Sequence, residues 1–189
     1  MARWQPNASE RLVVAALELF EERGYENTTV IDIAERAGLT KSTFFRHFPD
    51  KREVLCGGGT MAGLLVEGIV AAPAEATPLE AVAHALETVG KEAFPPDRRE
   101  FSARRQAVIA ASPELRERDA LKGLGLTASM IDALKRRGVP DLISRVAAEL
   151  GALALTIAYE RWSDTTNDDE FSDLTWRALR EVRAASGSC

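Results

Sequence analysis

GLTKSTFFRHF, residues 38–48, gathers a glycine, three hydroxyl side chains, three phenylalanines, a lysine, an arginine and a histidine into one run of a 189-residue chain whose formal net charge is −5. Two sets of residues interleave in it. Leu39, Phe44 and Phe48 fall where a small helical unit needs apolar contacts, which leaves Lys41, Ser42, Thr43, Phe45, Arg46 and His47 to reach outward. Gly38 breaks the preceding helix and Thr40 can cap a new one running to about Phe48. Upstream, Thr29 can cap a short helix over Val30 to Ala37, with Ile33, Ala34 and Ala37 on its buried side and Ala34 small where two helices must cross closely. Further back, Asn7 with Glu10 reads as a helix start, and Leu12, Ala15, Ala16, Leu19 and Phe20 recur at helical spacing until Gly24. Two short helices joined by a tight glycine turn, with a longer one before them, make a helix-turn-helix pattern.

Charge separates this stretch from an ordinary solvated helix face. Between residues 39 and 52, Lys41, Arg46, Lys51 and Arg52 stand against the single acid Asp50, while the chain as a whole is acidic. A cationic face on an acidic body suits a phosphate backbone.

The length allows a real core, in one large helical domain or a small domain joined to a larger one. Cys56 and Cys189 are too few and too far apart for a disulfide framework or a zinc site, which fits a reducing cytoplasm. Cys56 reads as a small, partly buried apolar residue, with redox sensing as the alternative. MARWQPNASERL has no apolar core of a signal peptide, and no segment reads as a membrane span. The expectation is a soluble cytoplasmic protein without metal or cofactor.

Beyond the turn, a connecting helix is expected from Pro49 or Asp50 to about Val70, with a soft spot at Gly57, Gly58 and Gly59. These glycines read either as a hinge or as places of close approach in a helix held by packing. Thr77, Pro78 and Glu80 signal a strong helix start, followed by Leu79, Val82, Ala83, Leu86 and Val89 on one face. Pro95 and Pro96 separate it from a helix carrying Phe101, Ala107, Val108 and Ile109; Ser112 with Pro113 starts another, expected to be interrupted near Gly123 and Gly125. His84, Phe101, Arg105, Met130 and Leu134 are candidates to line an effector pocket, against the alternative of plain core. A segment from Pro140 to about Trp162 is apolar over more than one stripe, with Gly151 and several alanines permitting close backbone approach, and Asn167 with Glu170 is expected to start the last helix. A pair of helices apolar on two faces needs two partners, which points to Leu150, Leu153, Ile157, Phe171, Leu174 and Leu179 as a dimer interface. Interior helices of a monomer are the alternative.

GYENTTVIDIAERAGLTKSTFFRHFPDKREVL, residues 24–55, resembles the DNA-binding signature of TetR-family transcriptional regulators, because the TTV, DIA, AG and FRHFPDK elements occur together in order and at the right intervals. The resemblance implies an all-α homodimer: a helix-turn-helix domain over residues 1–52 that binds double-stranded operator DNA, and a helical effector-binding and dimerisation domain over 53–189. It implies a repressor released from a pseudo-palindromic operator by a small molecule. On that footing Lys41, Ser42 and Thr43 should meet base edges in the major groove. Thr29, His47 and Lys51 match phosphate contacts, and Arg46 adds a plausible one. Phe45 occupies a further phosphate-contact position, where the family usually has a tyrosine; a phenyl ring cannot donate, so this contact departs from the pattern.

Other classes of function fit less well. An enzyme would need a reactive constellation, yet the chain has only His47 and His84 and no HExxH, CxxC or GxSxG. A bent-DNA architectural protein calls for a far more basic surface. A helical protein-interaction adaptor shares the amphipathic helices, but predicts no salt-dependent binding to a defined duplex.

Overall fold

The computed structural model describes residues 7–56, 60–164 and 166–187; the expected soft spot at Gly57 to Gly59 lies outside them, as does Cys189. Every regular element among the described residues is helical. They divide into two compact units, one of residues 7–56 with 104–120 and one of 60–103 with 121–187.

The first unit begins with α1 (Ala8–Arg23), whose first turn is capped by Asn7 accepting from the Glu10 amide at 2.9 Å. Leu12, Ala15, Ala16, Leu19 and Phe20 form its buried stripe, and it ends at Gly24. Thr29 and Asp32 close a capping box on α2 (Val30–Arg36), and Thr40 caps α3 (Lys41–His47) by accepting from the Thr43 amide at 3.2 Å. Between α2 and α3 the chain turns at Gly38, whose φ of 65° lies in the left-handed region that penalises any side chain with a Cβ. α1, α2 and α3 pack on one another through Ile33, Ala34 and Phe44, all essentially inaccessible.

The connecting segment departs from expectation. Helix does not start at Pro49 or Asp50 but at α4 (Glu53–Cys56), because Phe48 is extended (φ −135°) and Asp50 Oδ1 accepts from the amides of Arg52 and Glu53. Cys56 is buried, its Sγ 3.9 Å from the Leu115 carbonyl oxygen. The rest of this unit comes from the second half of α7 (Arg99–Ala111) and the start of α8 (Pro113–Arg136). Several pairs hold them: Arg104 on Glu21, Arg118 on Glu53, and the Tyr25 hydroxyl donating to Glu114 at 3.1 Å.

In the second unit, α5 (Thr60–Ala71), α6 (Pro78–Ala93), α9 (Asp141–Ser163) and α10 (Phe171–Ser186) surround one core, with the C-terminal part of α8; a short 3-10 turn (Pro96–Arg98) precedes α7. Thr77 and Glu80 form the expected capping box on α6. Gly151 lies against Val82, where a Cβ would collide with its side chain, so α6 and α9 approach as closely as the small residues allow. Phe94 stacks on Phe171 with ring centroids 4.0 Å apart, and Trp162 meets both edge-on.

Two expectations are corrected in this unit. α8 runs unbroken through Gly123 and Gly125; Thr127 and Ser129 bond back to their carbonyls, and Met130, Ala133 and Leu134 bury its C-terminal part. α10 starts at Phe171 without a side-chain cap, because Asn167 Oδ1 accepts from the Asp169 amide in the preceding turn. α9 is, by length and composition, apolar enough to cross a membrane, though its inner face of Ala147, Ala148, Ala154, Ala158 and Trp162 is buried in the core.

Candidate nucleic-acid interface

The geometry of α3 starts from its hidden side. Phe44 is fully buried and Phe48 nearly so, their ring centroids 5.6 Å apart, and this pair holds the short helix against α1 and α2. The turn before it is fixed by backbone bonds from Gly38 to Glu35 and from Leu39 to Ala34 (2.9 and 2.8 Å). Arg11 of α1 secures the same turn, its guanidinium donating to the carbonyls of Ala37 and Gly38. Sequence reasoning missed Arg11: a single arginine on an amphipathic helix carries no sign that it will meet carbonyls 26 residues away.

With its inner face anchored, α3 presents Lys41, Ser42, Phe45, Arg46 and His47 to solvent, and Thr43 half-buried beside them. The Thr40 hydroxyl lies 2.9 Å from that of Ser42 and 3.0 Å from that of Thr43, a local polar cluster. Lys41, Arg46 and His47 form no salt bridge among the described residues, so their donors remain available at the surface.

The other cations of the stretch are differently engaged. Lys51 Nζ donates to the carbonyls of Tyr25 and Thr28 (2.8 and 3.0 Å) and lies 3.8 Å from the Tyr25 ring centroid. An ammonium has three donors, so one is left for a phosphate. Arg52 pairs with Asp50 at 2.8 Å and approaches Glu114 at 3.8 Å. The basic face counted along the sequence is therefore carried outward mainly by Lys41 and Arg46.

Thr29 also differs from expectation. Its hydroxyl donates to Asp32 Oδ2 at 2.6 Å, and Arg23 bonds the same carboxylate at 2.8 Å. The hydroxyl and amide of Thr29, then Arg23, hold the Asp32 carboxyl down at about 2. The hydroxyl proton is thus committed internally, and a phosphate at this helix end would have to use the first-turn amides, which no intrahelical carbonyl accepts. Phe45, 47% exposed, offers an apolar ring where the family pattern has a hydrogen-bond donor.

The effector candidates have different surroundings. Met130 and Leu134 are fully buried in the core of the second unit, because their helix needs an apolar inner stripe. Arg105 belongs to the first unit, where it donates to the Leu55 carbonyl (2.7 Å) and to Asp119 (2.9 Å). Phe101 is half-buried on α7. His84 Nδ1 is 3.0 Å from the Gly68 carbonyl oxygen, and the residue lines an open groove of about 460 Å³ with Glu75, Glu80, Glu87 and Trp176. The dimer candidates split as well. Leu153 is exposed and Leu150 and Ile157 partly so, but Phe171, Leu174 and Leu179 are buried against their own chain and cannot face a partner. Leu142, Ile143 and Val146 extend the exposed face of α9 instead.

Residues 12–55 match a family described as "Bacterial regulatory proteins, tetR family". The chain is 42% identical over 84 residues to the HTH-type transcriptional regulator TcmR of Streptomyces glaucescens, a match covering 42% of this chain and 36% of TcmR. Among solved structures it is similar to Thermus thermophilus FadR, a TetR-family transcriptional repressor in complex with lauroyl-CoA, with 25% identity, 92% of each chain covered and a TM-score of 0.55. It shares the fold of NalD, the secondary repressor of the MexAB-OprM multidrug efflux pump in Pseudomonas aeruginosa, with 17% identity, 94% and 95% of the two chains covered and a TM-score of 0.60.

Proposed function

We propose, from residues 12–55 and their match to the tetR family of bacterial regulatory proteins, that this chain is a dimeric, sequence-specific DNA-binding regulator, a repressor released from its operator by a small molecule. The observation that carries the reading is α3: anchored from behind by Phe44 and Phe48, it offers hydroxyl and cationic tips outward. Lys41 donates to guanine O6 or N7, with Ser42 and Thr43 beside it on neighbouring base edges. Arg46, His47, the remaining Lys51 donor and the amides following Thr29 neutralise or hydrogen-bond phosphates, a contribution that weakens with salt.

Residues 1–52 supply this reading head and residues 53–189 the effector and dimer functions, in a cytoplasmic protein. Two copies associate through the outer face of α9, around Leu142, Val146, Leu150, Leu153 and Ile157, and place two copies of α3 about 34–36 Å apart in successive major grooves of a pseudo-palindrome. Long-chain acyl-CoA thioesters belong in the effector screen, since the similar FadR of Thermus thermophilus is in complex with lauroyl-CoA.

The test is selection of bound duplexes from a random pool, then titration of the enriched duplex at rising salt, then a screen for compounds that release it. Enrichment of a two-fold-related site with a steep salt slope is the expected result. A pool that never enriches would overturn the assignment in favour of a helical interaction adaptor.

A further inference from the structure

We propose that Phe45 is a specificity-determining residue that meets the C5-methyl group of a thymine in the major groove, close to the base contacted by Lys41; the inference rests on the DNA-binding function proposed above. Phe45 is the single large apolar side chain on the outward face of α3, exposed at 47% among Lys41, Ser42, Arg46 and His47. About half of its surface is left to solvent; on its own chain it meets the edge of Phe44, with centroids 5.6 Å apart at 81°, and Lys41 Nζ lies 5.9 Å from the ring centroid. The fold therefore does not use the ring as core, which Phe44 and Phe48 already supply.

The chemistry of the ring restricts what it can recognise. It has no donor, so a phosphate oxygen gains nothing from it. On the major-groove edge the apolar group among the four bases is the thymine methyl, and phenylalanine is one of the side chains suited to it. Lys41 and Phe45 are four residues apart, a rise of about 6 Å along the helix. Successive base pairs are separated by roughly 3.4 Å. The two side chains should thus read positions within about two base pairs of each other, a guanine for the ammonium and a thymine for the ring.

The experiment uses the full chain and the duplex enriched from the random pool, prepared as a series in which each thymine in turn is replaced by uracil, which removes only the methyl group. Binding is followed by fluorescence anisotropy. Losing one methyl contact should weaken binding by about fourfold at one thymine per half-site. Phe45→Ala should bind the parent duplex more weakly and lose the discrimination, while Phe45→Leu, which keeps an apolar tip, should retain part of it. Thermal melting checks that the variants fold, which the exposure of the ring predicts. The inference is overturned if no uracil substitution matters to the native chain, or if the sensitivity is unchanged in Phe45→Ala. If no duplex enriches at all, the DNA-binding reading itself fails and takes this inference with it; if one does, the uracil series judges Phe45 alone.

Discussion

α3 and α9 solve the same problem of burying one face, and differ in what they leave outside. α3 hides Phe44 and presents Lys41, Ser42, Arg46 and His47, with Phe45 as the apolar exception. α9 hides alanines, Gly151 and Trp162, and presents Leu142, Ile143, Val146 and Leu153, the first of them 73% exposed. The first outer face can gain by meeting an anion whose counterions are released. The second can gain by leaving water, at roughly 25 cal/mol per Å² of apolar area covered. On the function proposed above, the first face serves DNA and the second another copy of the chain.

The contrast is broken most severely from the inside of α3. Phe44→Ala removes the ring that seats the helix, and a fully buried phenylalanine is worth about 3–5 kcal/mol in such a substitution. Chemical denaturation should show that loss, and operator binding should fall with it. If binding fell while stability held, α3 would have a seat other than Phe44. Next in size is the outer face of α9: Val146→Glu combined with Leu153→Glu should weaken self-association by about 100-fold or more, by losing apolar burial and opposing like charges. Sedimentation should then find monomers of unchanged helicity. A dimer of native strength would move the interface elsewhere.

On the outer face of α3 the effects should be smaller and of two kinds. Lys41→Ala should cost about 1–3 kcal/mol of operator binding and relax the sequence preference at one position. Arg46→Ala should weaken all duplexes alike and reduce the salt slope by about 1. Equal behaviour of the two variants would mean that α3 does not divide base from backbone contacts.

The same contrast shows what could be read before the coordinates. Caps at Asn7, Thr29, Thr40 and Thr77 were legible because a cap is chemistry within four residues of chain. The inner stripe of α1 and the two apolar faces of α9 were legible because apolar residues recur at helical spacing. Arg11 on the carbonyls of Ala37 and Gly38, and Lys51 on those of Tyr25 and Thr28, were not, since these bonds join residues more than 20 positions apart. Phe171, Leu174 and Leu179 sit in the core of their own chain for a related reason. An apolar stripe announces that it will be covered, but its own chain and a second subunit satisfy it equally well, and only the fold decides.

The smallest test sets two acids against each other. Asp32, at the start of α2, and Asp141, at the start of α9, are both held down at about 2 from 3.8 in the folded chain. A depressed carboxyl contributes stability above its unfolded value, and that stability is lost as pH falls from about 4 towards 2. The causes differ. For Asp32 the hydroxyl and amide of Thr29 come first, with Arg23 behind them; for Asp141 the leading partners are Lys135 and Arg145, at 2.7 and 2.9 Å. Short-range hydrogen bonds from uncharged groups are little affected by ions, whereas exposed ion pairs are screened, with a Debye length of only about 4 Å at about 0.5 M salt. Asp32→Asn and Asp141→Asn should therefore each flatten the fall in melting temperature between pH 4 and 2 at low salt. At high salt the Asp32 effect should persist and the Asp141 effect should shrink. Equal salt sensitivity of the two would mean that Arg23, rather than the cap, governs the start of α2.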